Sequence, residues 1–537
     1  MRVLIALLFL PLLSWSQEGI GYKLWIGFSD KGSITNSTYS ASDLFSERSI
    51  ARREKQNIPI DYTDYPISSD YLSALKNLNF EVLNKSKWLN GVTALQSDTN
   101  AIDSLLQMNF IQRIDTLGYF AVDTSSRYAS KFDGIVIDEN THAAAKNQIE
   151  MIGGISLHAQ GYQGQGMHIA VFDSGFRNAN TIDAFSHLHA NNQILGTWDY
   201  VDREFSVYED NYHGMSVLST MGGYLEGEFL GTAPKASYWL LRTEDVSSET
   251  LIEEYNWAVA AEFADSVGAD IINSSLGYTT FDYPWHDHSY ADMDGKTTVI
   301  SRAATLASRK GIIVCNSAGN SGNSNWKYIG APADADSILS VGSVNAMREV
   351  SSFSSYGPTP DGRVKPSVSA QGGNTAIITQ SNTIATSNGT SFSSPVIAGM
   401  TACLWQAHYD KSNMQIINAI IQSAHLYEYP DEQLGFGIPN YALANALLFD
   451  VEDVSTPTLE VYPNPAYSDA RVYVYSANES EISYRVIDLQ GKVVVKGEIP
   501  WTYSRIGIDL PSLKSGVYVV EVKAGDTTLV ERLSVIQ

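Results

Sequence analysis

The feature that most constrains the fold is a regular exchange of short apolar runs and helical patterns between residues 146 and 447. The apolar runs read MHIAVFDS, ASYWLLR, DIINSSLG, GIIVCNSAGN and ILSVGSV. Strands that are apolar throughout are typical of sheets covered on both faces, and helices between them let consecutive strands run parallel. We therefore predict an α/β unit in which a parallel sheet carries helices on both faces.

Two smaller units flank this region. Residues 17–125 start with a strand-like alternation, YKLWIGF, and continue with helix candidates such as SERSIARREKQNI, which predicts a small α+β domain. A polar connector covers residues 126–145, and a linker with acidic residues and proline covers residues 448–458. Residues 459–537 alternate apolar and polar side chains around turn residues, which predicts a small β-sandwich.

The start of the chain and its charge indicate where it acts. Residues 1–16 contain one early Arg, a short apolar core and small residues before Gln17, which is typical of a cleaved signal peptide and too short to span a bilayer. We find no later stretch apolar enough for a transmembrane helix. The formal net charge of −24 argues against nucleic acid and anionic membranes as partners. We expect a protein exported through the periplasm, secreted or held at the cell surface.

Two cysteines, Cys315 and Cys403, lie within apolar runs. This placement favours buried free thiols over a disulfide framework or a cysteine metal site. A single bridge between the two remains an open alternative.

A hydroxyl group stands where a long helix begins. NGTSFSSP, residues 388–395, leads into an apolar run, and because proline is tolerated in the first turn of a helix we predict a loop entering a helix there. Ser391 would then lie near unpaired N–H groups and the positive end of the helix dipole. By itself the residue is either an ordinary helix cap or a nucleophile.

Two other residues favour the nucleophile. Asp173 ends the strand-like run MHIAVFD, and the carboxyl ends of parallel strands are where open α/β sheets place their chemistry. His213 precedes a helix candidate rich in small residues. A serine hydroxyl needs a base to remove its proton, and an imidazole needs a carboxylate to fix its tautomer. Asp173, His213 and Ser391 supply these roles in the chain order Asp, His, Ser.

These motifs resemble those of the subtilisin-like serine proteases, the subtilases or peptidase family S8. AVFDSGF, HGMSVLSTMGG and NGTSFSSPVIAG are similar to the family's Asp, His and Ser motifs, within residues 146–447. The resemblance implies a subtilisin-like parallel sheet with Asp173, His213 and Ser391 as the catalytic triad. It also implies that GADIINSSLG binds substrate backbone through Ser275, Leu276 and Gly277, and that Asn320 of VCNSAGNSG forms the oxyanion hole.

Some positions depart from the family pattern. Ser174 follows the motif aspartate where Thr is commoner, Met215 and Ser216 stand where Thr-His is usual, and Ser367 stands where Asp is frequent. None of these changes removes a catalytic group. They leave specificity and rate open while the reaction class stays the same.

The flanking units also resemble known domains. SERSIARREKQNI and SKWLNGV resemble the N-terminal propeptides of Bacteroidetes subtilases, which assist folding and occupy the cleft; the alternative is a permanent accessory domain. Tyr462–Pro465, Gly491 and Gly516–Tyr518 resemble the C-terminal sorting domain of type IX secretion, which implies the secretion machinery as a partner. A carbohydrate- or cell-binding sandwich is the alternative for this last unit.

Several other patterns are given structural interpretations. The glycines of GYQGQGMHIAV precede a strand, which argues against a dinucleotide loop. WHDHSYADMDGK is interpreted as a solvated loop, with a metal site as the alternative. We interpret ARREK, residues 51–55, as the solvent-facing side of a helix. A glycan on Asn388 would block the nucleophile.

The sequence therefore predicts a secreted serine endopeptidase that hydrolyses protein or peptide substrates through an acyl-enzyme and is made as a precursor. The alternative is a catalytically silent surface binding protein, or adhesin, with the same fold. No cofactor or metal ligand is assigned, although the resemblance makes calcium a candidate. Gly330 in IGAPADAD is expected near the pocket for the residue before the cleaved bond, and it would leave that pocket roomy.

Overall fold

The computed structural model describes residues 20–32, 39–121, 144–449, 458–462, 470–475, 482–499, 505–510, 513–524 and 527–535. The predicted signal peptide, most of the connector and linker, and the Pro463–Pro465 part of the sorting motif lie outside the described residues. Within the described ranges, none of the helices has the length and apolar character needed to cross a membrane.

The N-terminal unit is a four-stranded antiparallel sheet with helices, as predicted. In chain order its elements are β1 (Ile20–Phe28), α1 (Ala41–Leu44), α2 (Glu47–Lys55), α3 (Ser69–Asn77), β2 (Glu81–Ser86), β3 (Gly91–Gln96), α4 (Thr99–Leu106) and β4 (Ile111–Ala121). The strand order is β2-β3-β1-β4. Alternate residues of β1 serve different faces: Leu24 and Ile26 pack into this unit's own core, whereas Trp25 stacks on Tyr255 of the next unit at 4.4 Å between ring centroids.

The middle unit contains a seven-stranded parallel sheet, which confirms the predicted α/β class. The strands of this sheet are β5 (His168–Asp173), β6 (Ile194–Asp199), β9 (Ser237–Arg242), β10 (Ile271–Ser274), β11 (Ile313–Ser317), β12 (Leu339–Val344) and β13 (Val368–Gln371). Their order in the sheet is β13-β12-β11-β10-β5-β9-β6. Short hairpins add β7 (Tyr224–Leu225) with β8 (Phe229–Leu230), and β14 (Thr375–Ile378) with β15 (Ile384–Ser387).

Helices cover both faces of this sheet. They are α5 (Lys146–Glu150), α6 (Ile155–Ala159), α7 (Ser186–Ala190), α8 (His213–Gly222), α9 (Ile252–Val267), α10 (Val299–Arg309), α11 (Thr390–Ala407), α12 (Asn413–Gln422) and α13 (Tyr441–Leu448). Strand β5 shows why both faces are apolar. Its Ile169 and Val171 join one hydrophobic core with α8 and α11, whereas Ala170 and Phe172 join a second core with α9 and α10.

The C-terminal unit is β-rich and confirms the predicted small sandwich. Its strands are β16 (Thr458–Tyr462), β17 (Ala470–Tyr475), β18 (Ile482–Asp488), β19 (Val493–Ile499), β20 (Arg505–Leu510), β21 (Gly516–Ala524) and β22 (Thr527–Val535). They form a three-stranded sheet of order β16-β17-β20 and a four-stranded sheet of order β19-β18-β21-β22. Leu459 and Val461 of the first sheet pack against a buried cluster that includes Ile482 and Val486 of the second, so this unit has a core of its own.

The interpretation of ARREK as a solvent-facing run was wrong for its two arginines. Arg52 and Arg53 lie on α2 with side chains 0% and 3% exposed. Arg52 Nη2 lies 2.5 Å from Asp265 Oδ1, and Arg53 Nη2 lies 2.6 Å from Asp265 Oδ2. Arg53 also pairs with Asp64 of its own unit at 2.9 Å. Because Asp265 belongs to α9, a pattern local to α2 could not reveal these partners.

Helix α9 offers a second carboxylate to the N-terminal unit. Glu262 accepts hydrogen bonds from the Ser86 hydroxyl, from Lys87 N at 2.8 Å and from Trp88 N at 3.1 Å. Burial raises the pKa of Glu262 to about 7, against the opposing effects of Lys87 and the hydrogen bonds. The N-terminal unit thus covers α9 with groups that match its buried carboxylates.

This interface predicts unequal effects for two arginines that both join the N-terminal and middle units. Arg52→Ala leaves Asp265 with less charge compensation in a buried site, where losing one partner costs about 3–5 kcal/mol. The matched control is Arg203→Ala, because the Arg203–Glu81 pair is exposed and such pairs are worth about 0–1 kcal/mol.

Both variants should also carry Ser391→Ala, which removes the hydroxyl predicted from the sequence to be the nucleophile, so that self-cleavage is prevented if that prediction holds. Hydrogen exchange of the α2 amides should become at least about 100-fold faster in Arg52→Ala and less than about fivefold faster in Arg203→Ala. Equal exchange rates in the two variants would show that the buried pair does not hold the units together.

Candidate active site

Asp173 is the last residue of β5 and is fully buried at the carboxyl edge of the sheet. Its backbone is tied to the neighbouring strand, because Thr243 N donates to the Asp173 carbonyl at 3.0 Å. Ser174 N donates to Asp173 Oδ1 at 2.7 Å. The carboxylate is therefore held by the end of the strand and by the turn that follows it.

His213 is the first residue of α8, and its imidazole meets that carboxylate. Asn211 Oδ1 accepts from His213 N at 2.8 Å, which satisfies one of the amides that a helix start leaves without a partner. His213 Nδ1 lies 2.8 Å from Asp173 Oδ1. A carboxylate acceptor at this distance assigns the proton to Nδ1 and leaves Nε2 with the lone pair that a general base needs.

Gly214 permits the contact between His213 and Asp173, and sequence reasoning did not single out this glycine. A Cβ atom at Gly214 would lie 2.5 Å from the Gly175 carbonyl oxygen and 2.7 Å from Asp173 Cβ. Those distances are far shorter than van der Waals contact, so any side chain at 214 would push α8 away from the aspartate. The Gly that directly follows the histidine in HGMS was the available signal.

Ser391 lies in the first turn of α11, as expected, although the helix begins earlier than predicted. The helix starts at Thr390 after Gly389, whose φ is +150°, so Pro395 is in the second turn instead of the first. Ser391 is 6% exposed. The next side chain, Phe392, places its ring centroid 5.8 Å from that of His213, so the start of α11 lies beside the imidazole.

Asn320 follows β11 and is oriented by Thr390. Its Oδ1 accepts from Thr390 N and from Thr390 Oγ1, both at 2.9 Å. These two donors assign the oxygen of the amide and leave Nδ2 as the donating group. A Cβ built on Gly389 would lie 3.6 Å from Asn320 Nδ2, so this donor is close to the chain that leads into Ser391.

The predicted substrate-binding residues directly follow β10. Ser274, the last residue of that strand, is opposite Phe172 on one side and Asn316 on the other. Ser275 comes next, and its hydroxyl donates to the Ser391 carbonyl at 2.8 Å. Leu276 O accepts from Asn316 Nδ2 at 3.1 Å, and Gly277 is exposed. The seven predicted site residues thus gather around the carboxyl ends of β5, β10 and β11.

In the loop WHDHSYADMDGK, for which a metal site was the alternative, side chains that could bind a metal make contacts with other protein groups. Asp287 accepts from Phe281 N at 2.7 Å, and His288 Nε2 lies 2.6 Å from Glu254 Oε1. The Glu254 carboxylate and its hydrogen bond raise the pKa of His288, although burial opposes them. The His288 contact fastens the loop to α9, and the Asp287 contact ties the loop to the preceding chain at Phe281.

Two groups of three carboxylates in the described residues bear on the calcium prediction. Asp199, Asp202 and Asp210 surround Arg242 Nη1 at 2.6, 2.5 and 3.2 Å. A guanidinium already supplies the positive charge there, so this group does not fit a cation. Glu244, Glu249 and Glu253 form the second group, in which Glu244 accepts from the Tyr278 hydroxyl. Calcium stays a prediction with no assigned ligands.

Both cysteines are buried free thiols, as predicted. Burial raises the pKa of each, which keeps them protonated and unreactive. Cys403 Sγ contacts the Thr232 carbonyl at 3.2 Å, so it packs as a weakly polar core residue.

Comparison with known proteins identifies the family. The subtilase family model matches residues 164–437, about half of the chain. The chain belongs to the subtilase family. The model of the Peptidase S8 propeptide domain of Bacteroidota matches residues 23–131, and that of the secretion system C-terminal sorting domain matches residues 460–536. The sorting domain indicates export, to the cell surface or beyond.

Curated subtilases show the same likeness. Subtilisin NAT of Bacillus subtilis subsp. natto and Subtilisin E of Bacillus subtilis (strain 168) are each 30% identical over 280 residues, 51% of this chain. The match covers 65% of each of them, which is less than two thirds of their length. Among solved structures, MycP1 from the ESX-1 type VII secretion system is similar with a TM-score of 0.46 and 21% identity, over 60% of this chain and 91% of that one.

The orientation of Asn320 predicts the effect of removing its amide. Asn320→Ala should lower kcat for peptide hydrolysis by about 10²–10³-fold, the scale known for such a donor in subtilisin, with little change in KM. The reason is that Nδ2 would act on the charge that develops on the oxyanion and not on the bound peptide. Steady-state kinetics on a peptide substrate measure both constants. A rise in KM at constant kcat would instead assign Asn320 to ground-state binding.

Proposed function

We propose that this subtilase is a serine endopeptidase that acts outside the cytoplasm and is made as a precursor. The observation that carries the proposal is the 2.8 Å contact between His213 Nδ1 and Asp173, with Ser391 in the first turn of the neighbouring α11. A base held by a buried carboxylate beside a serine at a helix start is the arrangement that activates a hydroxyl.

The proposed chemistry follows from these positions. His213 Nε2 takes the Ser391 hydroxyl proton as Oγ bonds to the scissile carbonyl carbon, which leaves negative charge on the carbonyl oxygen. Asn320 Nδ2 and the Ser391 N–H donate to that oxygen. The intermediate collapses as His213 gives the proton to the leaving amine. Water, activated by the same imidazole, then releases the acyl group from Ser391.

The proposed substrate is an extended segment of polypeptide. Ser275, Leu276 and Gly277 directly follow Ser274, the last paired residue of β10, and their backbone is proposed to pair with an added strand formed by the substrate. Gly277 is exposed and has no side chain to obstruct that approach. Backbone pairing requires an extended chain, which favours unfolded or flexible segments of proteins.

The N-terminal unit is proposed to be a propeptide that is removed by cleavage within the connector, residues 126–145. Its match to the propeptide domain and its docking on α9 through Arg52 and Arg53 support this proposal. The C-terminal unit is proposed to bind the type IX secretion machinery, which the match to the sorting domain supports.

Replacement of the proposed nucleophile tests the proposal. Ser391→Ala should fold, lose about a millionfold in kcat, the scale known for the subtilisin triad, and fail to react with a fluorophosphonate probe. Ser393→Ala is the matched control, because Ser393 lies on the same helix and its hydroxyl donates only within the helix, to the Thr390 carbonyl at 3.0 Å. The control should keep activity and labelling.

The labelling and cleavage results distinguish a catalytically active protease from a silent binding protein. If the unmodified protein neither reacts with the probe nor cleaves peptides, the protein is a catalytically silent surface protein. If Ser391→Ala keeps near-normal activity, another residue is the nucleophile. Accumulation of uncleaved precursor in Ser391→Ala alone would show that propeptide removal is autocatalytic.

Because the C-terminal unit has a core of its own, we predict that it can be removed without loss of peptidase activity. A chain that ends at Phe449 should fold and hydrolyse peptides within about twofold of the full-length rate, because a unit with its own core folds independently. In the source organism the same chain should stay within the cell envelope, which fractionation and immunoblotting measure. If the shortened protein is exported but no longer adheres to a surface, the unit is a binding sandwich and not a sorting domain.

A further inference from the structure

Pro395 alters the hydrogen bonding of the residue proposed as the nucleophile. In an α-helix the N–H of residue 395 would donate to the carbonyl of residue 391, four positions earlier. Proline has no N–H, so the Ser391 carbonyl loses this donor. The carbonyl is deep in the protein, where an acceptor without a donor is costly.

A side chain from the substrate-binding segment supplies the missing donor. Ser275 Oγ donates to the Ser391 carbonyl at 2.8 Å, within a buried site. In the other direction, Ser391 Oγ lies 3.5 Å from the Ser275 carbonyl, a long contact. The two residues therefore face each other through one strong and one weak polar contact.

A second pair of polar side chains holds the Ser275 hydroxyl in place. Asn273 Nδ2 lies 3.4 Å from Ser275 Oγ, and Asn273 Oδ1 accepts from Ser394 Oγ at 3.1 Å. Asn273 and Ser394 are both fully buried. A chain of polar contacts thus runs from Ser394 on α11 through Asn273 on β10 to Ser275, and from Ser275 back to α11 at the Ser391 carbonyl.

We propose that the Ser275 side chain is a positioning residue, which fixes Ser391 through the carbonyl that Pro395 leaves without a helical donor. This role is distinct from the backbone pairing with substrate expected at the same residue. The inference rests on the proposed function, in which Ser391 is the nucleophile. The Ser275 hydroxyl couples the segment proposed to bind the peptide to the residue proposed to attack it, and it does so at Ser391 itself.

The first test removes the hydroxyl alone. Ser275→Ala should lower kcat by about 10- to 100-fold, the effect expected when a reacting group is displaced, while KM changes little because the backbone is kept. Reaction with a fluorophosphonate should slow by a similar factor, since this probe reports on Ser391 without peptide binding. Ser275→Thr keeps a hydroxyl and should recover most of the rate.

The matched control removes a neighbouring hydroxyl whose hydrogen-bond donor lies on α9 and not on α11. Ser274 lies on the same strand, is fully buried, and accepts from Trp257 Nε1 at 3.0 Å. Ser274→Ala should lower the thermal unfolding temperature about as much as Ser275→Ala, yet leave kcat and labelling near wild type. A similar loss of kcat in both variants would reduce the role of Ser275 to general stability and overturn the proposal.

The decisive test is a double-mutant cycle with the proline. Pro395→Ala restores an N–H that can donate to the Ser391 carbonyl, so the cost of Ser275→Ala in kcat should shrink at least about fivefold in that background. An unchanged cost in the two backgrounds would overturn the proposal. If Pro395→Ala fails to fold, the comparison of Ser275→Ala with Ser275→Thr decides: equal loss in both contradicts it.

Failure of this inference and failure of the proposed function give different results. If Ser391→Ala abolishes labelling but Ser275→Ala is labelled as fast as wild type, Ser391 is the nucleophile and Ser275 does not position it. If Ser391→Ala is still labelled, the proposed nucleophile is wrong, and both the proposed function of Ser391 and the positioning role of Ser275 are overturned.

Discussion

Parallel pairing of β5, β10 and β11 is the constraint on which the rest of the site depends. Neighbouring parallel strands end at the same edge of a sheet, so the residues that follow them must meet there. Ser274 is opposite Phe172 and Asn316, which places Asp173, Ser275 and the chain that leads to Asn320 side by side at the carboxyl edge of the sheet. The register of three strands brings together residues that are far apart in the chain.

Two buried helices bring His213 and Ser391 to this edge of the sheet, and each depends on a glycine at its start. Helix α8 reaches Asp173 only because position 214 has no side chain, and α11 enters after Gly389 in a backbone conformation that favours glycine. Once there, α11 is buried along most of its length. A helix enclosed on all sides has little freedom to move, so Ser391 is held by the core as well as by its polar contacts.

The N-terminal unit binds the middle unit through ion pairs in a buried interface, where removing charged groups from water costs free energy. Asp265 and Glu262 on α9 are buried only because Arg52, Arg53 and the amides after β2 surround them. A buried carboxylate without such partners would lose several kcal/mol of solvation. Under the proposed removal of the N-terminal unit, water would have to solvate these carboxylates in place of the arginines and amides.

The sequence by itself determined the class of fold and predicted which residues have chemical roles. Strand periodicity and apolar runs are local properties, so the α/β unit and its flanking domains could be predicted, and Asp173, His213 and Ser391 were recognised by their motifs. Tertiary structure alone decided the burial of Arg52 and Arg53, the direction of the Asn320 amide, and the acceptor of the Ser275 hydroxyl. These depend on partners that lie on other elements, such as Asp265, Thr390 and the Ser391 carbonyl. Hydrogen bonds and ion pairs between distant segments leave no periodic signal in either segment, because the chain encodes them only through the fold that brings the segments together.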